Sequence, residues 1–392
     1  MARLDSKALR VGVDEIAVHF HELEDPRSTV NRRHPLVSVV VIAIMAVLAG
    51  AGGPTSIAEW ARMKEEFLLE LLPLPNGVPR KDVFRRVLMA LDPVAFQACF
   101  TQWLASLRDG AAAEAAGVDR PVLAVDGKTL RRSHDRASGL GPLHSVSVWA
   151  SEFGLSLAQV ATDEKSNEIT AIPEVLKLVD LSGAIVTIDA MGTQTAIAKQ
   201  IVDGGADYVL ALKGNQGTLF QAAVDYVDEQ VKVDFAGAKA RRHTTTEAGH
   251  GREETRTYVQ MPVPKDLPGV GRWAGLMTLG IAMLTCVRGD GVETHDVRYF
   301  ISSLGMGVKQ FAHAVRSHWS IENGCHWCLD VTYREDESRV REKHLRENLA
   351  WLNRLTLSLL KQQSNKKSVA MNRRRCGRNH DVLVKILTGQ TT

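Results

Sequence analysis

The first 115 residues place apolar side chains at helical spacing, and beyond them the pattern changes to short apolar runs. Leu36–Ala51 is a nearly unbroken apolar segment. It falls about one turn short of the roughly 20 residues that a membrane-spanning helix needs. Gly52, Gly53 and Pro54 end it. A buried core helix is therefore expected there, and no membrane partner. Further helices are expected over Ser56–Leu72, Asp82–Met89 and Pro93–Leu107, with Pro93 suited to a first turn. Pro73, Pro75 and Pro79 mark the loop before Asp82, and Asp109–Arg120, rich in Ala and Gly, reads as a linker.

Pro121–Asp126 is a short apolar run that closes on a carboxylate. His144–Ala150 and Leu155–Ala161 alternate as half-buried strands do, with a tight connection between them. Ile169–Val179 is helical in period. Ala184–Asp189 is a second apolar run that ends in Asp. Thr195–Val202 is helical, and Gly204 and Gly205 end it. Asp207–Leu212 is another buried strand. The order is strand, strand, strand, helix, strand, helix, strand. Short turns followed by helical crossovers make an α/β fold, a mixed sheet flanked by helices. This is the order of a ribonuclease-H-like fold.

Thr218–Lys232 reads as a helix, and Arg252–Gln260, Trp273–Arg288 and Thr294–Ser302 read as strands. A β-rich insertion at about 230–305 is expected to interrupt the sheet domain. A helix then runs from Val308 through Glu322, and an amphipathic helix covers Glu347–Lys361. The expected division is a helical N-terminal domain at 1–115, a catalytic domain at 116–362 and a basic tail at 363–392.

Charge adds little by itself. Among 392 residues, 48 basic and 45 acidic side chains leave a formal charge of +3. Their distribution says more. Basic residues bunch at Lys128–Arg136, at Arg334–Lys343 and in the tail, where Arg373, Arg374 and Arg375 form a generic phosphate-binding patch. Five cysteines at irregular spacing make no disulfide framework. The first residues carry no signal-peptide pattern. A cytoplasmic location is expected.

Asp126 and Asp189 each close an apolar strand. Such an Asp is commonly a cap, but two in matching runs on adjacent strands would meet. Close carboxylates repel unless a cation compensates. Hard oxygen ligands favour Mg²⁺, with Mn²⁺ as a substitute. Two such ions support in-line phosphoryl displacement. Glu322 is the first candidate for a third ligand; it shares a helical stripe with Val315, His318, Trp319 and His326. Asp330, Glu335 and Asp336 are nearby alternatives. Cys325 and Cys328 have a CxxC step near His318 and His326, but no second pair stands at zinc-finger spacing.

Four strings, Ala124–Arg132 (AVDGKTLRR), Thr187–Ala190 (TIDA), Leu210–Gln216 (LALKGNQ) and His318–Asn323 (HWSIEN), resemble the DDE transposases. More narrowly they resemble the H-repeat-associated family of bacterial insertion sequences. His250–Arg256 is similar to that family's strand in the β-insertion. The resemblance runs over nearly the whole chain. It implies Asp126, Asp189 and Glu322 as metal ligands for two Mg²⁺ ions. It implies DNA strand cleavage and transfer at terminal inverted repeats, with double-stranded DNA as partner and a homodimer in the DNA complex. Another nuclease of the same fold, or a DNA-binding relic without activity, are the alternatives. Related transposases carry Tyr, Arg and Lys at fixed steps around the Glu; here those places hold Val315, His318 and Leu329. Arg339, Arg341 and Lys343 are then candidates for the missing phosphate contacts. Lys128, Arg131, Arg132, Lys213 and Asn215, which follow strand ends, are candidates for DNA contact as well, and so is His318 in the place of the family's Arg.

Overall fold

The computed structural model describes residues 6–108, 120–135, 139–162, 168–249 and 251–390. The Ala- and Gly-rich linker at 109–119, Arg136 and His250 lie outside them. Six helices come first: α1 (Ser6–Val18), α2 (Leu36–Leu48), α3 (Pro54–Met63), α4 (Glu65–Leu71), α5 (Lys81–Ala90) and α6 (Pro93–Arg108). In α2 every residue except Val37 is buried, which explains its all-round apolar sequence. No helix among the described residues is long and apolar enough to cross a membrane. Lys64 breaks the single helix expected over Ser56–Leu72 into α3 and α4.

A nine-stranded mixed sheet follows: β1 (Val122–Leu130), β2 (Leu143–Ala150), β3 (Leu155–Thr162), β4 (Ile185–Ile188), β5 (Asp207–Leu212), β6 (Arg241–Gly249), β7 (Arg252–Pro262), β8 (Thr278–Arg288) and β9 (Glu293–Ser302). The spatial order is β3-β2-β1-β4-β5-β9-β8-β7-β6. β1, β4 and β5 run parallel, and every other pairing is antiparallel. Helices α7 (Glu168–Leu176) and α8 (Thr195–Asp203) connect β3 to β4 and β4 to β5. Helix α9 (Gly217–Lys232) leads into the late strands.

Two expectations change here. β1 does not end at Asp126. It continues to Leu130 because β2 keeps pairing with it, down to Leu130 opposite Leu143. The helix expected from Val308 through Glu322 is not continuous: it gives way to a π-helical turn at Ile321. The β-rich segment adds its strands to the same sheet. β9 pairs with β5, Leu210 opposite Ile301, so β6–β9 extend the first sheet.

Strand alternation divides the core. Val122, Ile185, Val209 and Phe300 face one side of the sheet, where Phe311 and Val315 of α10 (Val308–Ser320) cover them. The other side belongs to the main core, which also takes in the N-terminal helices. A π-helical turn, Ile321–His326, interrupts the helix expected from Val308, and α11 (Trp327–Val331) continues it.

The C-terminal segment is folded. Helix α12 (Lys343–Lys361) is buried along most of its length, and α13 (Val369–Arg378) and α14 (His380–Leu387) pack behind it. Arg373, expected in an open phosphate-binding tail, is buried. Its guanidinium donates to the carbonyls of Val47 and Ala51 at the end of α2 and to that of Thr332. It also lies 3.9 Å over the Tyr333 ring. Polar composition hid this, because the partners are helix-terminal carbonyls rather than charges.

Candidate functional site

Parallel pairing sets Ala124 opposite Thr187 and Val125 opposite Ile188. The same register brings Asp126 level with Asp189, just beyond the end of β4. By alternation both share the sheet side of Ala124 and Thr187, under α10. Asp189 folds back on its own loop, where Oδ1 accepts from the amides of Met191 (3.0 Å) and Gly192 (3.3 Å). Asp126 Oδ1 accepts from the Gly127 amide at 2.8 Å.

Glu322 arrives from the opposite wall, in the π-helical turn. Such turns are rare and recur at functional sites, because one extra residue re-aims the side chains around it. His318, one turn earlier, is tied to β4 by a 3.0 Å hydrogen bond between Nδ1 and Thr187 Oγ1. Enclosure by protein pushes the His318 imidazole down to about 4, so the ring is neutral.

Asp126, Asp189 and Glu322 all line one cavity of about 310 Å³, together with His318, Trp319 and Lys213. Burial above all, with the charges of Asp189, Glu322 and Glu168 acting the same way and the Gly127 hydrogen bond against them, raises Asp126 to about 7. Among the described residues no three His, Cys, Asp or Glu side chains close around a single point as a metal cage. The donor chemistry nevertheless fits a hard divalent cation. Three carboxylates share a pocket in which one of them resists ionisation, and a cation relieves that crowding.

The alternatives for the third carboxylate are engaged elsewhere. Asp330 Oδ1 lies 2.5 Å from Lys128 Nζ, and Asp336 lies 3.5 Å from the same nitrogen. Glu335 is buried and accepts from Asn353 at 3.1 Å and from Arg354 at 3.5 Å. Arg354 also donates to Ser145 and Ser147 of β2, beneath the β1 segment that carries Asp126. Burial holds Cys325 and Cys328 as protonated thiols, Cys325 raised to about 11.

The expected basic contacts divide into two groups. Lys128 is only 6% exposed and faces Asp330 and Asp336, not solvent as a phosphate contact would. The Asn215 amide donates to the Ala190 carbonyl and braces the loop after Asp189. Lys213 stands exposed on the cavity wall. Arg132 and Arg339 are exposed, Arg131 is exposed beside Asp336, and Arg341 lies 3.9 Å from Asp135. Sequence reading missed the approach of His326 to Asp126, and it missed Glu168 and Arg298 altogether. His326 Nδ1 lies 3.5 Å from Asp126 Oδ2, and burial pushes the ring down to about 3. Arg298 lies 4.4 Å over the Trp319 ring. His326 was on the Glu322 stripe and was legible to that extent; the other two gave no signal.

Residues 117–359 match the family described as Transposase DDE domain, and residues 17–104 match the region described as DDE_Tnp_1-associated. The chain belongs to the DDE transposase family. Within it the chain groups with H repeat-associated members. It is 36% identical to "Putative transposase YncI" of Escherichia coli O157:H7, over 92% of this chain and 93% of that one. It is 33% identical to "H repeat-associated putative transposase YhhI" of Escherichia coli strain K12, over 95% and 97%. Among solved structures, a piggyBac transposase synaptic complex with hairpin DNA aligns with a TM-score of 0.38 and 12% identity, over 95% of this chain and 79% of that one. In this DDE transposase the four strings that carry the resemblance lie on β1, at the end of β4, across the end of β5 and from the last turn of α10 into the π-turn.

Proposed function

We propose that this DDE transposase binds the terminal inverted repeats of its element as double-stranded DNA and catalyses strand cleavage and strand transfer by in-line phosphoryl displacement. The observation that carries this reading is the convergence of Asp126, Asp189 and Glu322, from three separate elements, on one cavity. Asp126, Asp189 and Glu322 would hold two Mg²⁺ ions, or Mn²⁺ in their place, which supply the charge that activates an attacking oxygen and stabilises a leaving one. The fold that supports this is ribonuclease-H-like, with the spatial order β3-β2-β1-β4-β5 and the long β6–β9 extension before Glu322.

The chain's own residues contribute positioning and charge. Lys213 on the cavity wall neutralises a phosphate entering it. Neutral His318 braces the Glu322 helix against β4 without adding a cation that would compete for the carboxylates. Arg131, Arg132, Arg339 and Arg341, on the surface around the β1 end, offer phosphate contacts that fix register and not sequence. Coordinated cutting of two ends calls for a homodimer on DNA.

The test is cleavage of a duplex carrying the element's end, with Mg²⁺ or chelator, by wild type, Asp189→Ala and Glu322→Gln. Metal-dependent nicking lost in both variants, with DNA binding retained, supports the reading. Normal cutting by Glu322→Gln removes Glu322 from the site, and binding without cutting by wild type removes the activity.

A further inference from the structure

Glu168 does not line the cavity that Asp126, Asp189 and Glu322 share. It opens α7, on the far side of β1 from Glu322, and is 5% exposed. Its carboxylate lies against the backbone beside Asp126: a β-carbon on Gly127 would collide with Glu168 Oε1. Its charge is felt at Asp126, where it disfavours ionisation. The side chain that answers it is His144 of β2, whose Nε2 stands 2.7 Å from Glu168 Oε1. His144 is itself buried, and its Nδ1 is engaged with Thr129 Oγ1 at 2.7 Å. Yet His144 Nε2 makes no hydrogen bond of acceptable direction.

Among the described residues, the imidazole of His144 meets this buried carboxylate off the line of a hydrogen bond, so the contact is a weak one. A structural ion pair would align its donor. The arrangement is better suited to a group that turns towards a second cation. Because Gly127 has no β-carbon, this carboxylate lies directly against the β1 backbone beside Asp126.

We propose that Glu168 is a fourth acidic residue of the metal site, ligating the divalent cation held at Asp126 and resting against His144 when the cation is absent. This rests on the metal reading given under the proposed function. It makes the ligand set Asp126, Asp189, Glu322 and Glu168, one from each of β1, the β4 end, the π-turn and α7.

The test is Mn²⁺ binding to the full chain without DNA, by isothermal titration calorimetry, for wild type, Glu168→Gln and Asp126→Asn. Circular dichroism checks each fold. Glu168→Gln is expected to weaken Mn²⁺ by at least about tenfold. Unchanged affinity in Glu168→Gln, with binding lost in Asp126→Asn, overturns the proposal and leaves the three-carboxylate reading standing. No Mn²⁺ binding by wild type, or unchanged binding by Asp126→Asn, overturns both. A second measurement needs no variant. Wild type loaded with Fe²⁺ and treated with ascorbate and peroxide should be cut by hydroxyl radicals near Asp126 and at the first turn of α7. Cuts near Asp126 with none at α7 overturn the proposal.

Discussion

Lys128 and Asp330 form an ion pair at 2.5 Å that joins β1, two residues after Asp126, to α11, eight residues after Glu322. The pair links the two walls of the cavity. It also accounts for Lys128 being buried although its neighbours in the sequence, Arg131 and Arg132, are exposed. The acidic partners are partly exposed, so solvent screens the pair and its net value is modest.

Lys128→Met should therefore act through stability and geometry rather than DNA affinity. Removing the ammonium leaves Asp330 and Asp336 beside an apolar side chain. The expected loss is about 1–3 kcal/mol in urea unfolding. Lys128→Met/Asp330→Leu should recover part of it, because an unpaired charge costs more than an absent pair. Unchanged stability with a large fall in duplex affinity would return Lys128 to the DNA-contact role that its place in the sequence suggested.

Gly127→Ala tests how closely the two walls of β1 are packed. The added methyl would meet Glu168 Oε1 and His144 Nε2, both on buried side chains with little room to retreat. Overpacking of this kind costs about 1–3 kcal/mol. Thermal unfolding should show the loss, and Gly127→Ala in a Glu168→Ala background should show much less of it. Equal losses in both backgrounds would mean that the strand, not the carboxylate, rejects the methyl.

The parts of this architecture that could be read in advance are those where burial controls the sequence. β4 and β5 are buried on most positions, so they appear as unbroken apolar runs. β6, Arg241–Gly249, is exposed along most of its length, and its strand form comes from pairing with β7. Nothing in RRHTTTEAG carries an apolar alternation to reveal it. The π-turn was hidden for another reason. Ile321 and Cys325 are buried four residues apart, as in an ordinary helix, and the extra residue shows only in the backbone. Asp126 and Asp189 were legible because a carboxylate interrupts an apolar run. Glu168 was not, since an acidic residue in a helix's first turn is commonplace.

Arg373→Leu separates a structural guanidinium from a phosphate-binding one. It would remove donors to the Val47, Ala51 and Thr332 carbonyls, of which Val47 still accepts from the Gly50 amide. A loss of about 2–4 kcal/mol in urea unfolding is expected. Arg373→Lys should rescue little, because one ammonium cannot span three carbonyls on two segments. The salt dependence of DNA binding should stay unchanged, whereas a lost phosphate contact would reduce its slope by about one.

Asp126→Asn carries the last prediction, in which stability and activity move in opposite directions. Asp126 is largely buried, and Asp189, Glu322 and Glu168 all bear on it with like charge. Without a cation its negative charge is a cost to the fold. Asn keeps an oxygen for the Gly127 amide, so the one favourable local bond survives the change. In chelator the variant should therefore melt above wild type, by about 2 °C or more for a chain of this size. Added Mn²⁺ should raise the wild-type midpoint, because binding to the native state alone adds stability, and should leave the variant where it was. Scanning calorimetry with and without the ion gives all four midpoints. A variant that melts below wild type in chelator would mean that the Asp126 charge already has a favourable partner in the metal-free protein. In that case crowding of carboxylates is not the feature that makes this cavity a cation site.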